Sequence, residues 1–487
     1  MEITIPPFDL KSIAPIILIT IAAMVVLITD VFFKKLPKET LGYLSFLAVL
    51  ITGLITFAQS GSTVYSPVYS FSDTFVVDNF SIFFNYIFLI STAIVILMSV
   101  YYLEQEGVNY GEYYTLLLFA TMGMMLMAGA ADLITIFLGL EIMSISLYVL
   151  AGFRRERMDS NESSLKYFLL GAFATCFLLY GIALLYGATG TTNIKEIGTF
   201  ITDNHAFSNP MIVMGASLLI IGFGFKMAAV PFHKWVPDVY EGAPTSVTAF
   251  MSAGPKAAAF AVFLRVFLVS LPGLEQKWSV ILWVMAALTM TIGNVVAITQ
   301  SNIKRMLAYS SIAHAGYVLM AVITAGSSGT ASILFYLLVY VFMNLGAFAV
   351  IMILGKKGDE NLQIDDYSGL GYKHPVLAIV MSIFMFSLAG IPPFAGFMGK
   401  FYIFSAAVES GFVILAVIGV INSVISVYYY LRVTVVMYMK KPARDFAPLS
   451  LSPYIILALI ITIWGTIHLG IFPSMIIELA RKSVLLP

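Results

Sequence analysis

MIVMGASLLIIGFGFKMAAVPFHKWVPDVY, residues 211–240, is too long for one ordinary membrane crossing, and it carries Lys226 at its middle and Pro231 five residues later. A crossing helix takes roughly twenty apolar residues. Proline inside a helix removes an amide donor and clashes with the preceding turn, and it also disfavours helical backbone at the residue before it. The stretch therefore reads as a membrane helix broken beside a charge. Backbone groups freed at such a break cannot face lipid and must face protein or water. Water is what an exchanging ammonium group needs.

The rest of the chain fits that reading. Of its 487 residues 60% are hydrophobic and only 11% charged, against the roughly 25% charge of soluble domains. Apolar character runs from Ile13 to Ile471 with no polar interval of domain size, so a single membrane domain is expected. Spans are expected at 13–33, 41–59, 80–103, 112–130, 131–152, 163–187, 211–240, 246–271, 279–300, 304–324, 331–354, 376–410, 411–438 and 452–474. The expected fold class is an all-α integral membrane protein of about fourteen transmembrane helices. The N-terminal Met1–Pro7 lacks a basic signal region, and the apolar run after it exceeds a signal-peptide core, so it is expected to remain as the first span. The formal net charge of zero offers no nucleic-acid footprint. One cysteine, Cys176, excludes an intrachain disulfide, a cysteine-ligated iron–sulfur cluster and a CxxC redox pair.

Lysine and arginine accumulate in cytoplasmic loops. Every other loop here is basic, apart from the acidic Glu104–Glu112 on the same side, through Lys34, Lys35 and Lys38; Arg154, Arg155 and Arg157; Lys234; Lys304 and Arg305; Lys356, Lys357 and Lys373; and Arg432, Lys440, Lys441 and Arg444. The alternate loops and tails hold only Lys11, Lys195, Lys277, Arg481 and Lys482. Both termini are thus expected on the non-cytoplasmic side. Tyr148-Val149-Leu150 recurs as Tyr317-Val318-Leu319, and a second break at Gly390, Pro392 and Pro393 falls at the place equivalent to the first, at Pro231. Two five-helix repeats are expected, 112–271 and 279–438, preceded by three helices within 1–103 and followed by a final one at 452–474. Five crossings per unit bring the second copy in from the opposite face, an inverted repeat of the kind found in transporters.

An ionisable side chain near the bilayer centre costs at least about 2.5 kcal/mol, so each is a functional candidate. Glu141, Lys256 and His314 each sit about 15 Å into their spans at 1.5 Å per residue, near the midplane. Lys400 is expected about 10 Å beyond the second break, an exit position. A carboxylate beside a buried ammonium favours its charged form and separation favours release, so a Glu141–Lys226 pair would act as a switch. Blander readings stand beside these. Lys166 and Arg265 can snorkel from near helix ends, His314 can be a core histidine bonded to a neighbour, and the lysines can be structural ion pairs. The aromatic and Met residues read as packing or lipid-facing material.

The stretch from Gly222 through Lys226 and Pro231 to Ser246 closely resembles the signature of the antiporter-like subunits of proton-pumping NADH:quinone oxidoreductase, complex I, and of the related Mrp antiporters. Gly139-Leu-Glu141, Pro255-Lys256, the segment from Asn302 to His314 and that from Gly390 to Lys400 extend the resemblance over nearly the whole chain. Lysine rather than glutamate at position 400, and an end at Pro487 with no lateral amphipathic helix, make the fourteen-helix branch the most similar. The resemblance implies Glu141 and Lys226 as an input pair, Lys166 as a modulating group, Lys256 as central carrier, His314 as bridge and Lys400 as exit residue. It further implies that FMN, iron–sulfur clusters and quinone are held by partner subunits, with no cofactor or metal in this chain. The implied partners are neighbouring antiporter-like and small membrane subunits in a bacterial inner membrane. A Mrp-type cation/proton antiporter or membrane-bound hydrogenase subunit is the competing assignment. A purely structural membrane scaffold is the third.

Overall fold

The computed structural model describes residues 9–61, 67–324, 326–355, 362–442 and 451–485. Lys356, Lys357 and Arg444 of the basic loops, the segment Met1–Pro7, and Pro487 lie outside the described residues.

The chain opens with α1 (Ala14–Phe32), α2 (Glu39–Ser60), a short hairpin of β1 (Val68–Ser70) and β2 (Phe75–Val77), and α3 (Asn79–Glu106). Then follow α4 (Gly111–Gly129), α5 (Leu133–Ala151), α6 (Met158–Thr189), α7 (Ile194–Asp203), α8 (Pro210–Met227), α9 (Trp235–Gly242) and α10 (Thr245–Arg265), the last running into a π-helical turn over Val266–Ser270. The second half holds α11 (Glu275–Thr299), α12 (Ile303–Ile323), α13 (Ser327–Leu354), α14 (Leu370–Lys373), α15 (Pro375–Ala389), α16 (Ala395–Glu409), α17 (Val413–Met439), α18 (Pro453–Ile471) and α19 (Ser474–Lys482). The protein is an all-α membrane protein. Twelve described helices are long and apolar enough to cross a bilayer, namely α1–α3, α5, α6, α8, α10–α13, α17 and α18. The two other expected spans correspond to α4, which is largely buried, and to the pair α15 and α16. The hairpin and the short amphipathic helices α7 and α19 were not anticipated, because their polar faces fall outside any apolar run.

The helices divide by burial. α12 and α13 are buried over almost their entire length and α10 and α3 nearly so, whereas α1, α2, α6, α17 and α18 turn much of their surface outward. Exposed Leu, Ile, Val and Phe cover that outer ring. The polar residues that apolar runs cannot hide at low cost therefore collect around α10, α12 and α13.

Close helix pairs use small residues, since packing between membrane helices gains from backbone approach. A Cβ on Gly123 of α4 would lie 2.6 Å from the Gly139 carbonyl oxygen and 2.7 Å from the Met143 nitrogen of α5. One on Gly293 of α11 would lie 2.7 Å from the Ala313 nitrogen of α12. Gly123 and Met143 thus have their counterparts in Gly293 and Ala313, both displaced along the chain by one constant offset. The same offset relates two helix starts. Asp132 caps α5 by accepting from the Ile134 and Thr135 amides, at 2.8 and 3.3 Å, and bridges to Asn193. Asn302 caps α12 by accepting from the Lys304 and Arg305 amides, at 2.8 and 3.2 Å, and bridges to Gln363. In each case a pair of backbone bonds joins the two segments: Leu133 to Thr192 and Ile194 to Ala131, both 2.9 Å, then Ile303 to Leu362 and Ile364 to Ser301, both 2.8 Å. Following the helices up and down, α5 starts at the end away from the basic loops and α12 at the basic-loop end.

Candidate functional site

Each break ends a helix in left-handed backbone, at Ala228 with φ +64° and at Gly390 with φ +86°. The freed groups face protein. In the first break the Val230 amide donates to Thr289 Oγ1 of α11 at 2.9 Å, and Trp235 Nε1 donates to the Phe225 carbonyl at 3.1 Å. In the second the Gly396 amide donates to Ser387 Oγ at 3.1 Å.

Lys226 is buried at the end of α8, and its ammonium donates to Ser144 Oγ at 2.7 Å and Tyr148 Oη at 3.2 Å. Both acceptors lie on α5, three and seven residues after Glu141, hence on one face. Glu141 itself is partly buried and accepts from Thr175 Oγ1 of α6 at 3.0 Å. Among the described residues Lys226 and Glu141 make no ion pair; Lys226 docks on α5 about one turn beyond the carboxylate.

Lys256 of α10 is buried and donates to the carbonyl of Ser311 on α12 at 3.1 Å and also to its hydroxyl. The Tyr240 ring of α9 lies 5.8 Å from its Nζ. Three residues past Ser311, His314 is buried between two tyrosines, with Nδ1 2.5 Å from Tyr336 Oη of α13 and Nε2 3.1 Å from Tyr430 Oη of α17. Tyr430 in turn meets Ser310 Oγ. Another turn along α12, the Tyr317 ring lies 5.0 Å from Lys400 Nζ. Ser311, His314 and Tyr317 thus form one stripe of α12, with Lys256 at one end and Lys400 at the other. Among the described residues the buried hydroxyls of Tyr240 and Tyr340 both face Ser311 without a hydrogen bond of good geometry.

The Lys400 backbone lies in α16 past the second break, as expected, but its ammonium does not stay at that depth. Helix side chains lean toward the N-terminus, and the Lys400 side chain folds back into the break. Its ammonium donates to the Leu388 and Ala389 carbonyls at 3.1 and 2.9 Å and to Ser423 Oγ of α17 at 3.0 Å. It occupies the C-terminal end of α15, where a cation is favoured, rather than a point two turns further into α16.

Other expectations change as well. Arg265 does not snorkel. It makes a bidentate pair with Asp78, the N-cap of α3, with both N–O distances 3.0 Å, and its Nε donates to the Ala128 carbonyl at 3.1 Å. Lys166, partly exposed, pairs with Glu162 at 2.7 Å and Asp238 at 2.9 Å. Asp238 also pairs with Arg305 at 3.0 Å, and Arg305 with Glu241 at 2.6 Å. Lys166 therefore joins a network on α9, one element away from Lys226. Lys304, read from sequence as a loop residue, is wholly buried inside α12 and donates to the Ala243 carbonyl at 2.7 Å. The tyrosines read as packing material supply the hydroxyls around Lys226 and His314. A sequence signal for one of them existed: Tyr336, Tyr340 and Asn344 recur every four residues, a polar stripe along the apolar middle of α13.

Comparison with known proteins adds to this geometry. The family described as NADH:quinone oxidoreductase/Mrp antiporter, transmembrane, matches residues 130–426, which hold both breaks and every lysine of the line. The chain belongs to that family. It is 53% identical over 476 residues to NADH-quinone oxidoreductase subunit N of Trichlorobacter lovleyi, covering 98% of this chain and 97% of the relative. It is 43% identical over 487 residues to the subunit of the same name from Chloroflexus aggregans, covering 99% of each. Among solved structures, a chain of respiratory complex I from Thermus thermophilus, solved with aureothin bound, superposes with a TM-score of 0.81 at 32% identity, covering 96% of this chain and 99% of that one. A chain of the Mrp complex from Dietzia shares the fold, with a TM-score of 0.84 at 21% identity over 98% and 97% of the two chains. These neighbours are multi-subunit membrane complexes. Within the family, this is an antiporter-like membrane subunit, and subunit N is the branch that the lysine at position 400 had suggested.

Proposed function

We propose that the chain is the subunit N type component of a bacterial NADH:quinone oxidoreductase and translocates protons through its buried lysines without performing redox chemistry itself. The observation that carries this reading is the row of polar side chains Ser311, His314 and Tyr317 on one buried helix, with Lys256 bonded at one end and Lys400 beside the ring at the other. Glu141 and Lys226 form the input side. Their separation, with the carboxylate held by Thr175 and the ammonium by Ser144 and Tyr148, supports one position of a two-position switch in which the pair is open. Closing the gap would favour the charged lysine and loading, and opening it would pass the proton on toward Lys256. His314 bridges Lys256 and Lys400, and Lys166 modulates from the α9 network.

Two five-helix units, 112–271 and 279–438, are related by inversion in this reading. The helix contacts and caps repeated at one constant offset support it, because they sit at opposite ends of the bundle. The tally of basic loops supports both termini outside the cytoplasm, in the inner membrane. Electron chemistry on FMN, iron–sulfur clusters and quinone belongs to partner subunits, and the exposed apolar ring meets lipid and the neighbouring antiporter-like and small membrane subunits.

Purification in mild detergent with identification of the co-purifying chains tests the assignment. Soluble flavin and iron–sulfur partners are expected, and a set of small membrane partners alone would transfer the chain to the antiporters. Within the assembled complex, Lys226→Ala and Lys400→Ala are expected to lower proton translocation. Wild-type pumping in both would leave only the scaffold.

A further inference from the structure

The short half-helix α9 is held in an unusual way. A helix end leaves most of its last carbonyls without intrahelical partners; here the Ala243 amide satisfies that of Val239, and side chains from four other elements reach it and the carbonyls after it. Ser163 Oγ of α6 donates to the Val239 carbonyl at 3.0 Å, and Thr248 Oγ1 of α10 donates to that of Tyr240 at 2.8 Å. Arg154, in the loop after α5, reaches the Gly242 carbonyl at 3.4 Å and also pairs with Glu106 at 3.2 Å. Lys304 of α12 reaches the Ala243 carbonyl at 2.7 Å. Two buried cations therefore stand at the C-terminal end of one helix, the location its dipole favours.

Lys304 also shares a face of α12 with Ser311, seven residues or about 10 Å further along the axis. Ser311 binds Lys256, and Lys256 lies under the ring of Tyr240, which α9 carries three residues before Ala243. The contacts close a frame in which α9 and α12 are joined at two levels, by Lys304 to Ala243 at the basic-loop end and by Tyr240, Lys256 and Ser311 nearer the membrane centre.

We propose that Lys304 is a positioning residue for Lys256: it pins α9 to α12 and so sets where Tyr240 stands against the Lys256 ammonium. This rests on the proton-translocation reading above. In this proposal Lys304 acts as a fixed donor and charge on the Ala243 carbonyl. Arginine keeps both donor and charge, glutamine keeps a donor alone, and methionine keeps neither.

The test compares Lys304→Arg, Lys304→Gln and Lys304→Met in the assembled complex in sealed vesicles, measuring protons translocated per electron at equal complex content on a native gel. Lys304→Met is expected to lose the same share of the proton-to-electron ratio as Lys256→Met, Lys304→Gln to fall between, and Lys304→Arg to keep the wild-type ratio. A wild-type ratio in Lys304→Met overturns the proposal. So does an arginine variant as impaired as the methionine one, which would make Lys304 a carrier. If both the methionine and glutamine variants fail to assemble, Lys304 acts on folding alone and the proposal also fails. Lys256→Met separates the two levels. A wild-type ratio there removes the translocation reading itself, while a lowered ratio there beside a wild-type Lys304→Met removes only this inference.

Discussion

Tyr336→Phe removes a single oxygen from the centre of the proposed path. That hydroxyl lies 2.5 Å from His314 Nδ1, the shorter of the two contacts holding the imidazole, and the ring it belongs to packs against His314 at a centroid distance of 5.9 Å. Phenylalanine keeps the ring, so packing and assembly are expected to survive. The imidazole nitrogen is left buried without its partner, a loss of about 1–3 kcal/mol for a neutral group. If His314 must be oriented for transfer between Lys256 and Lys400, that loss appears in the barrier. At 1.36 kcal/mol per tenfold, translocation through this subunit slows about fivefold to 150-fold. The assay is NADH-driven acidification of proteoliposomes followed by a pH dye, with NADH oxidation recorded in the same sample. Acidification should fall while the amount of complex is unchanged. Tyr430→Phe, which removes the longer contact of 3.1 Å, should have a smaller effect. A Tyr336→Phe complex that acidifies at the wild-type rate would show that His314 needs no orientation, and would refute its role as a bridge.

Three further outcomes follow from contacts elsewhere. Ser144→Ala takes from Lys226 its 2.7 Å acceptor, a hydrogen bond to a charged group worth about 1.5–3 kcal/mol. Pumping should fall by at least about tenfold with Glu141 intact, and an unchanged rate would mean that Ser144 does not hold the lysine. Arg265→Gln leaves Asp78 without its bidentate partner at the end away from the basic loops, and breaking a largely buried pair costs about 3–5 kcal/mol. The complex should lose thermal stability without any change in protons per electron; the reverse pattern would make Arg265 part of the path. Gly123→Ala places a methyl 2.6 Å from the Gly139 carbonyl, so α4 and α5 must part, at about 1–3 kcal/mol. Gly293→Ala should behave alike, and equal stability of both variants and wild type in detergent unfolding would contradict the packing.

Much of this arrangement was legible in the sequence because a bilayer simplifies the code. Apolar runs give crossings, and a lysine inside such a run, as at 226, 256 or 400, stands out against its background. Pro231 and Pro393 pointed to the breaks because each removes a backbone donor within an overlong span, whereas Pro255 sits inside α10 without breaking it. The partners were harder. Asp78, which holds Arg265, lies 187 residues away and outside any span. The tyrosines at 148, 336 and 430 looked like bulk, since only the fold decides whether a hydroxyl meets lipid or histidine. Lys304 was counted with its basic loop although the expected span began at that residue; the Asn302 cap starts α12 at Ile303 and turns the side chain into the core. The folding back of Lys400 reflects the lean of helix side chains, which spacing along the chain does not convey.

The most direct test of the account is the number of protons translocated per electron in complexes carrying Lys256→Met. Lys256 lies between the two breaks, buried and bonded to Ser311, and the proposed path has no way around it. The account predicts an assembled complex that still oxidises NADH but moves fewer protons per electron. An assembled Lys256→Met complex with the wild-type ratio would contradict it.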